Sequence, residues 1–181
     1  MNIGEEIATA YLQYIKECEF IQTNLYTPDV QGEIDVVGID INNKKLYVCE
    51  VAVHLITGLQ YVKDKRPNNV NKLYEKFSKD IEYANKYFPD YEKIFMIWTP
   101  IVKNQSEGSK YNQLNDISEI KRKLKEKYKI ELQDIINEKF MNCLNELREF
   151  AAKETKDIKS PVIRYLQVEE YTKKHVKKLG G

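Results

Sequence analysis

The spacing of apolar positions changes along the chain, and each change marks an element. Gly32-Glu33-Ile34-Asp35-Val36-Val37-Gly38-Ile39-Asp40 and Lys45-Leu46-Tyr47-Val48-Cys49-Glu50-Val51-Ala52-Val53-His54 are two largely apolar, β-branched runs joined by Asn42-Asn43. That pattern predicts a hairpin of long, mostly buried strands. Ahead of it, Gly4-Glu5-Glu6-Ile7-Ala8 opens a helix running to residue 15, and residues 19 to 24 read as a strand leading to the Gly32 turn. Behind it, Val70, Leu73, Phe77, Ile81, Ala84 and Phe88 recur at three- and four-residue steps, which predicts an amphipathic helix laid on the sheet. Residues 91 to 98 then form a short apolar run closed by Thr99-Pro100, the mark of a buried strand. Paired parallel to the Glu50 strand, it would complete a βαβ crossover.

The second half is chiefly helical in pattern. A polar loop at 104 to 110 is the clearest linker. Ile117, Ile120 and Leu124 mark a helix that ends in a basic run at 121 to 129. Ile130-Glu131-Leu132 reads as a short edge strand, and Ile135, Ile136, Phe140, Cys143, Leu144, Leu147 and Ala151 trace a long helix. Ser160-Pro161 starts a last helix, with serine as cap and proline at the first helical position, and Gly180-Gly181 reads as a frayed end. The fold class is therefore α/β, in a chain whose 181 residues fit one domain.

Strand side chains alternate faces, so the acids within the hairpin stand out. Asp35 lies between Ile34 and Val36, and Glu50 between Cys49 and Val51. A carboxylate inside an apolar strand is costly to desolvate unless cations or donors compensate it. Two of them on paired strands suit a hard divalent cation with oxygen ligands, most plausibly magnesium. The competing reading is a pair of edge-strand acids facing water. Three scattered cysteines, Cys18, Cys49 and Cys143, and only two histidines argue against a disulfide framework and against a sulfur- or histidine-based metal site. No stretch is long and apolar enough to cross a bilayer and no signal-type leader is seen, so a cytoplasmic, soluble protein is expected.

The order of helix with early glutamate, strand, Gly-Glu-Ile-Asp strand and strand ending in Glu-Val resembles the PD-(D/E)xK nuclease superfamily, which has the restriction-endonuclease-like fold. The resemblance covers about residues 1 to 103 as a catalytic core, with 104 to 181 as a mainly helical, basic C-terminal extension packed on it. It implies that Asp35 and Glu50 bind the metal, Mg2+ or Mn2+, and that Glu6, or less readily Glu5, completes the metal shell or orients water. The literal Pro28-Asp29 pair is read as a decoy in a turn. The motif's Glu-x-Lys is broken, because Glu50-Val51-Ala52 puts alanine where the lysine belongs. That lysine positions the attacking water and offsets charge growing on the phosphate. Two replacements are open: His54, about 7 Å further along the strand, and a lysine from the following helix, with Lys76 preferred over Lys72 and Lys79.

Net charge is only +1, yet residues 1 to 120 carry 13 Lys+Arg against 18 Asp+Glu, while residues 121 to 181 carry 16 against 10. An acidic half beside a basic half suits a metal site next to a phosphate-binding surface. Generally abundant lysine explains the same numbers. The loop Lys63-Asp64-Lys65-Arg66-Pro67 and the 121 to 129 helix are the candidate phosphate contacts. The expectation is a metal-dependent endonuclease acting on nucleic acid, DNA in the first place, in restriction, defence or repair, with a homodimer as one assembly left open. The alternative is a degenerate domain of the same fold that binds nucleic acid or a protein partner without cutting.

Overall fold

The computed structural model describes residues 2–27, 32–105, 109 and 111–179. The Pro28-Asp29 pair, most of the 106 to 110 loop and Gly180-Gly181 lie outside them. In chain order the elements are α1 (Ile3–Tyr14), β1 (Phe20–Tyr26), β2 (Glu33–Asp40), β3 (Lys45–Val51), β4 (Val62–Lys63), β5 (Arg66–Pro67), α2 (Asn69–Tyr87), β6 (Glu92–Thr99), α3 (Gln113–Tyr128), β7 (Gln133–Ile136), α4 (Asn137–Lys153) and α5 (Pro161–Leu179).

Five strands make one mixed sheet in the order β1-β2-β3-β6-β7. The β1-β2 and β2-β3 pairs are antiparallel, and β3-β6 and β6-β7 are parallel. Parallel neighbours cannot be joined by a tight turn, so α2 carries the chain from β3 across to β6. The β2-β3 turn is held by Asp40, whose carboxylate accepts from both the backbone and the side-chain amide of Asn43 at 2.9 and 2.8 Å.

Alternation along the strands splits the interior into two cores, one on each face of the sheet. On one face Val36, Tyr47, Cys49, Val51, Met96 and Trp98 pack against α1, α4 and α5. On the other, Val37, Leu46, Val48, Phe95 and Ile97 pack against Leu73, Phe77 and Ile81 of α2 and Ile117, Ile120 and Leu124 of α3. The result is an α/β/α arrangement to which residues 113–179 contribute the fifth strand and three helices. α1 seats its first turn directly on the sheet, since a Cβ on Gly4 would collide with Val53 and Val51. All three cysteines are buried and free, and among the described residues no helix is long and apolar enough to cross a membrane.

Three expectations need correction. The Glu50 strand stops at Val51, not His54: the Ala52 amide on the Trp98 carbonyl is the last bond to β6, and the chain then bends through a turn closed by Gly58 N–H on the His54 carbonyl. The edge strand is residues 133–136, not 130 to 132, and it takes Ile135 and Ile136 out of the predicted helix. Both runs are equally apolar; pairing with β6, Trp98 opposite Ile135 and Thr99 opposite Ile136, decides between them. The basic 63 to 67 loop is itself a small hairpin, β4 with β5.

Candidate functional site

Asp35 and Glu50 meet on the sheet face that α2 covers. Asp35 shares its side of β2 with Val37, and Glu50 shares its side of β3 with Leu46 and Val48, all three of which contact the α2 and α3 core. The strand ladder opens around Asp35. β1 pairs Thr23 with Val36 and Leu25 with Ile34 but leaves out Asn24, whose φ is +50°, and the β2-β3 pairing ends at Val36 with Cys49. The Asp35 carboxylate fills the gap, its Oδ2 accepting from the Val51 amide at 2.7 Å. That bond orients the other oxygen, Oδ1, toward α2.

Two turns into α2, Lys76 reaches down to both acids. Its Nζ lies 3.6 Å from Asp35 Oδ1 and is ion-paired with Glu50 Oε2. One turn further, Asp80 points from the same helix into the same space, buried next to Leu73, Phe77 and Ile81. Asp35, Lys76 and Asp80, with Tyr61, Lys72, Glu75 and Lys79, wall a cavity of about 260 Å³, and Glu50 lies buried behind Lys76. A neighbouring cavity of about 430 Å³ shares Tyr61, Lys72 and Glu75 and extends to Val62, Lys63, Asn68 and Asn71 beside the β4-β5 hairpin. Tyr61 between them is pinned through its backbone: its amide donates to Asn69 Oδ1 at 2.7 Å and its carbonyl accepts from the Asn68 amide at 2.7 Å.

Burial dominates the electrostatics. Glu50 is 1 % exposed and Asp80 5 %. Desolvation, then the charges of Asp80 and Asp35, push Glu50 well above the usual carboxylate range, with Lys76 pulling the other way. Desolvation likewise raises Asp80 to about 7, against the lowering effects of its hydrogen bond with Glu50 and of Lys76. For Lys76 burial acts downward, but Glu50 and Asp35 outweigh it and hold the ammonium charged, above the ordinary lysine range. Three carboxyl groups thus face one ammonium. Apart from the contact between the two carboxyl groups, Glu50 Oε1 and Asp80 Oδ2 are buried and meet no hydrogen-bond donor. An all-oxygen, acid-rich set of this kind suits Mg2+ or Mn2+. Yet among the described residues no three His, Cys, Asp or Glu side chains are already grouped so as to hold an ion. The Lys76 ammonium takes the central position between Asp35 and Glu50.

The structure therefore brings Asp35, Glu50 and Lys76 together and adds Asp80, which sequence reasoning missed. Its signal was present: Asp80 follows Lys76 by four residues and sits beside Ile81 on the apolar stripe, but an i,i+4 Lys-Asp pair reads equally well as a surface ion pair. Glu6 and Glu5 lie in the first turn of α1, which is packed on the Val51 and Val53 side of β3, the face opposite Glu50. Glu5 accepts from the Asn2 side chain at 2.7 Å. His54 is exposed in the turn after β3. Lys72 and Lys79 line the cavity mouth. In the basic helix, now α3, Lys121 pairs with Asp134, Arg122 with Glu119 and Glu126, and Lys125 with Glu131. Lys123 and Lys127 stand over the Tyr74 ring. Much of that helix's charge is thus met within the chain.

Fold and site together define an α/β protein with a buried carboxylate-lysine centre on a mixed sheet. Compared with protein-family models and with curated proteins, the chain matches none.

Proposed function

We propose that the chain is a metal-dependent nuclease of the PD-(D/E)xK type, hydrolysing phosphodiester bonds in DNA. The observation that carries the reading is Lys76, delivered by α2 to the two strand acids that the motif requires. The order α1-β1-β2-β3-α2-β6, with β1 to β3 antiparallel and β6 parallel to β3, is the arrangement the resemblance implies and supports it further.

In this reading Asp35 and Glu50 hold the cation, which when bound would supply a Lewis acid and an acidified water. Lys76 stands in for the lysine lost at Ala52, orienting water and neutralising charge on the phosphate. The Val51 amide locks Asp35 in one rotamer, so one acid of the pair is set before substrate arrives. Lys72, Lys63 and the exposed hairpin residues Lys65 and Arg66 flank the double cavity and would carry the backbone of the substrate.

The test is cleavage of supercoiled plasmid and of labelled single-stranded, duplex and branched oligonucleotides in Mg2+, Mn2+ or EDTA. Cutting that needs metal and is lost in Asp35→Ala and Lys76→Met supports the proposal; cutting retained in Asp35→Ala refutes it. A second reading, a domain of this fold that binds nucleic acid without cutting, is favoured by one observation: Lys76 is engaged by Glu50 rather than free to meet a substrate. Metal-independent binding with no cleavage on any substrate would select it.

A further inference from the structure

Three carboxyl groups crowd the one ammonium that is placed between the strand acids. Asp35, Glu50 and Asp80 converge on Lys76 from β2, β3 and α2. With all three ionised, Lys76 between them and Lys79 at the rim would offset the charge only in part, in a site where Glu50 and Asp80 are almost wholly buried. Burying unpaired charge is costly, so such a set calls for a further positive charge or for bound protons. Apart from the contact between the two carboxyl groups, Glu50 Oε1 and Asp80 Oδ2 are buried and meet no donor, so ligand capacity remains after Lys76 has made its contacts. Lysine has a flexible four-carbon stem, and Lys76 keeps about a quarter of its side chain exposed on the cavity side.

We infer that Asp80 is the third carboxylate of the ion site, and that Lys76 and a divalent cation occupy the Asp35-Glu50-Asp80 cluster in alternation. This rests on the reading of Asp35 and Glu50 as cation ligands and assigns the third position to α2 rather than to Glu6 on α1. With the ammonium between the strand acids, the three acids are not grouped around a common ion position among the described residues. Cation entry displaces Lys76 toward the cavity mouth, where Lys72 and Lys79 already lie. There it would meet a phosphate. Metal loading and lysine placement are then one event, because the same acids cannot pair fully with both.

The experiment is titration of Mn2+ alone into the full chain, followed by calorimetry and by the electron paramagnetic resonance of free Mn2+, with no nucleic acid present. Asp80→Asn, which keeps the shape, should weaken Mn2+ binding at least tenfold. Lys76→Met, which removes the competitor, should tighten it about tenfold, and Glu6→Gln should leave it unchanged. Unaltered affinity in Asp80→Asn, or unaltered or weaker affinity in Lys76→Met, overturns the inference, as does weakening in Glu6→Gln without any in Asp80→Asn. Should Asp80→Asn fail to fold, the direction of the Lys76→Met change decides. Binding that follows these expectations in a chain that cuts no substrate would refute the nuclease reading alone; cleavage with Asp80→Asn binding like the wild type would refute this inference alone.

Discussion

Replacing Asp80 by asparagine should stabilise the protein modestly at pH 5 and much more at pH 8. The folded-state carboxyl ionises at about 7 against an ordinary value of 3.8, chiefly because it is buried. Between those values the folded chain holds a proton that the unfolded chain has lost. Stability therefore falls as pH rises through that window, the reverse of the usual behaviour of a salt-bridged acid. If nothing relaxes, the whole effect is worth roughly 4 kcal/mol by pH 8, at about 1.4 kcal/mol per pH unit; side-chain relaxation reduces it to about 2–4 kcal/mol. Asparagine has nearly the same shape and no charge to desolvate. Urea unfolding in EDTA at pH 5 and pH 8 measures the difference free of divalent cations. The variant should exceed the wild type by about 1–1.5 kcal/mol at pH 5 and by about 2–4 kcal/mol at pH 8, where the melting-temperature gain is roughly 5–15 °C. Equal differences at the two pH values, or a variant less stable at pH 8, would show that Asp80 is ionised and well compensated in the folded chain, and the charge-excess argument would fail with it.

Two further predictions concern the frame that holds the site. Gly4→Ala should cost about 1–3 kcal/mol, read as a shifted urea midpoint, because the new methyl meets the branched side chains of Val53 and Val51 under α1. Asn69→Ala removes the side chain that accepts from the Tyr61 amide and donates to the Leu59 carbonyl and to Asp116. A loss of about 2–3 kcal/mol is expected, with faster hydrogen exchange at the Tyr61 amide than at the α2 core. An unchanged rate there would mean that the Tyr61 wall is held by other contacts.

Much of the frame was legible before any coordinates. The hairpin, α1, α2 and β6 announce themselves through long runs of one period, and a period summed over ten or more residues outweighs local exceptions. The ends of elements were less secure. Nothing local distinguishes Ile130-Glu131-Leu132 from Ile135-Ile136 as strand, and only the register against Trp98 and Thr99 of β6 selects the latter. His54 illustrates the same limit: alternation extends through it, but the pairing with β6 ends at the Ala52 amide and the His54 carbonyl is taken by the turn that Gly58 closes.

The site divides along the same line. Sequence alone determined that Asp35 and Glu50 are acids embedded in apolar strands, that the lysine expected at position 52 is missing, and that α2 carries several candidate replacements. These are statements about residue type and spacing within one element. Which lysine arrives, and that Asp80 arrives with it, was decided by tertiary structure. The packing of Leu73, Phe77 and Ile81 on the sheet sets the rotation of α2, and with it turns Lys76 and Asp80 inward over the strand acids while Lys72 and Lys79 stay at the rim. A helix's rotation is fixed by the surface it packs on, and the acids that make that rotation matter lie on strands that reach it only through folding.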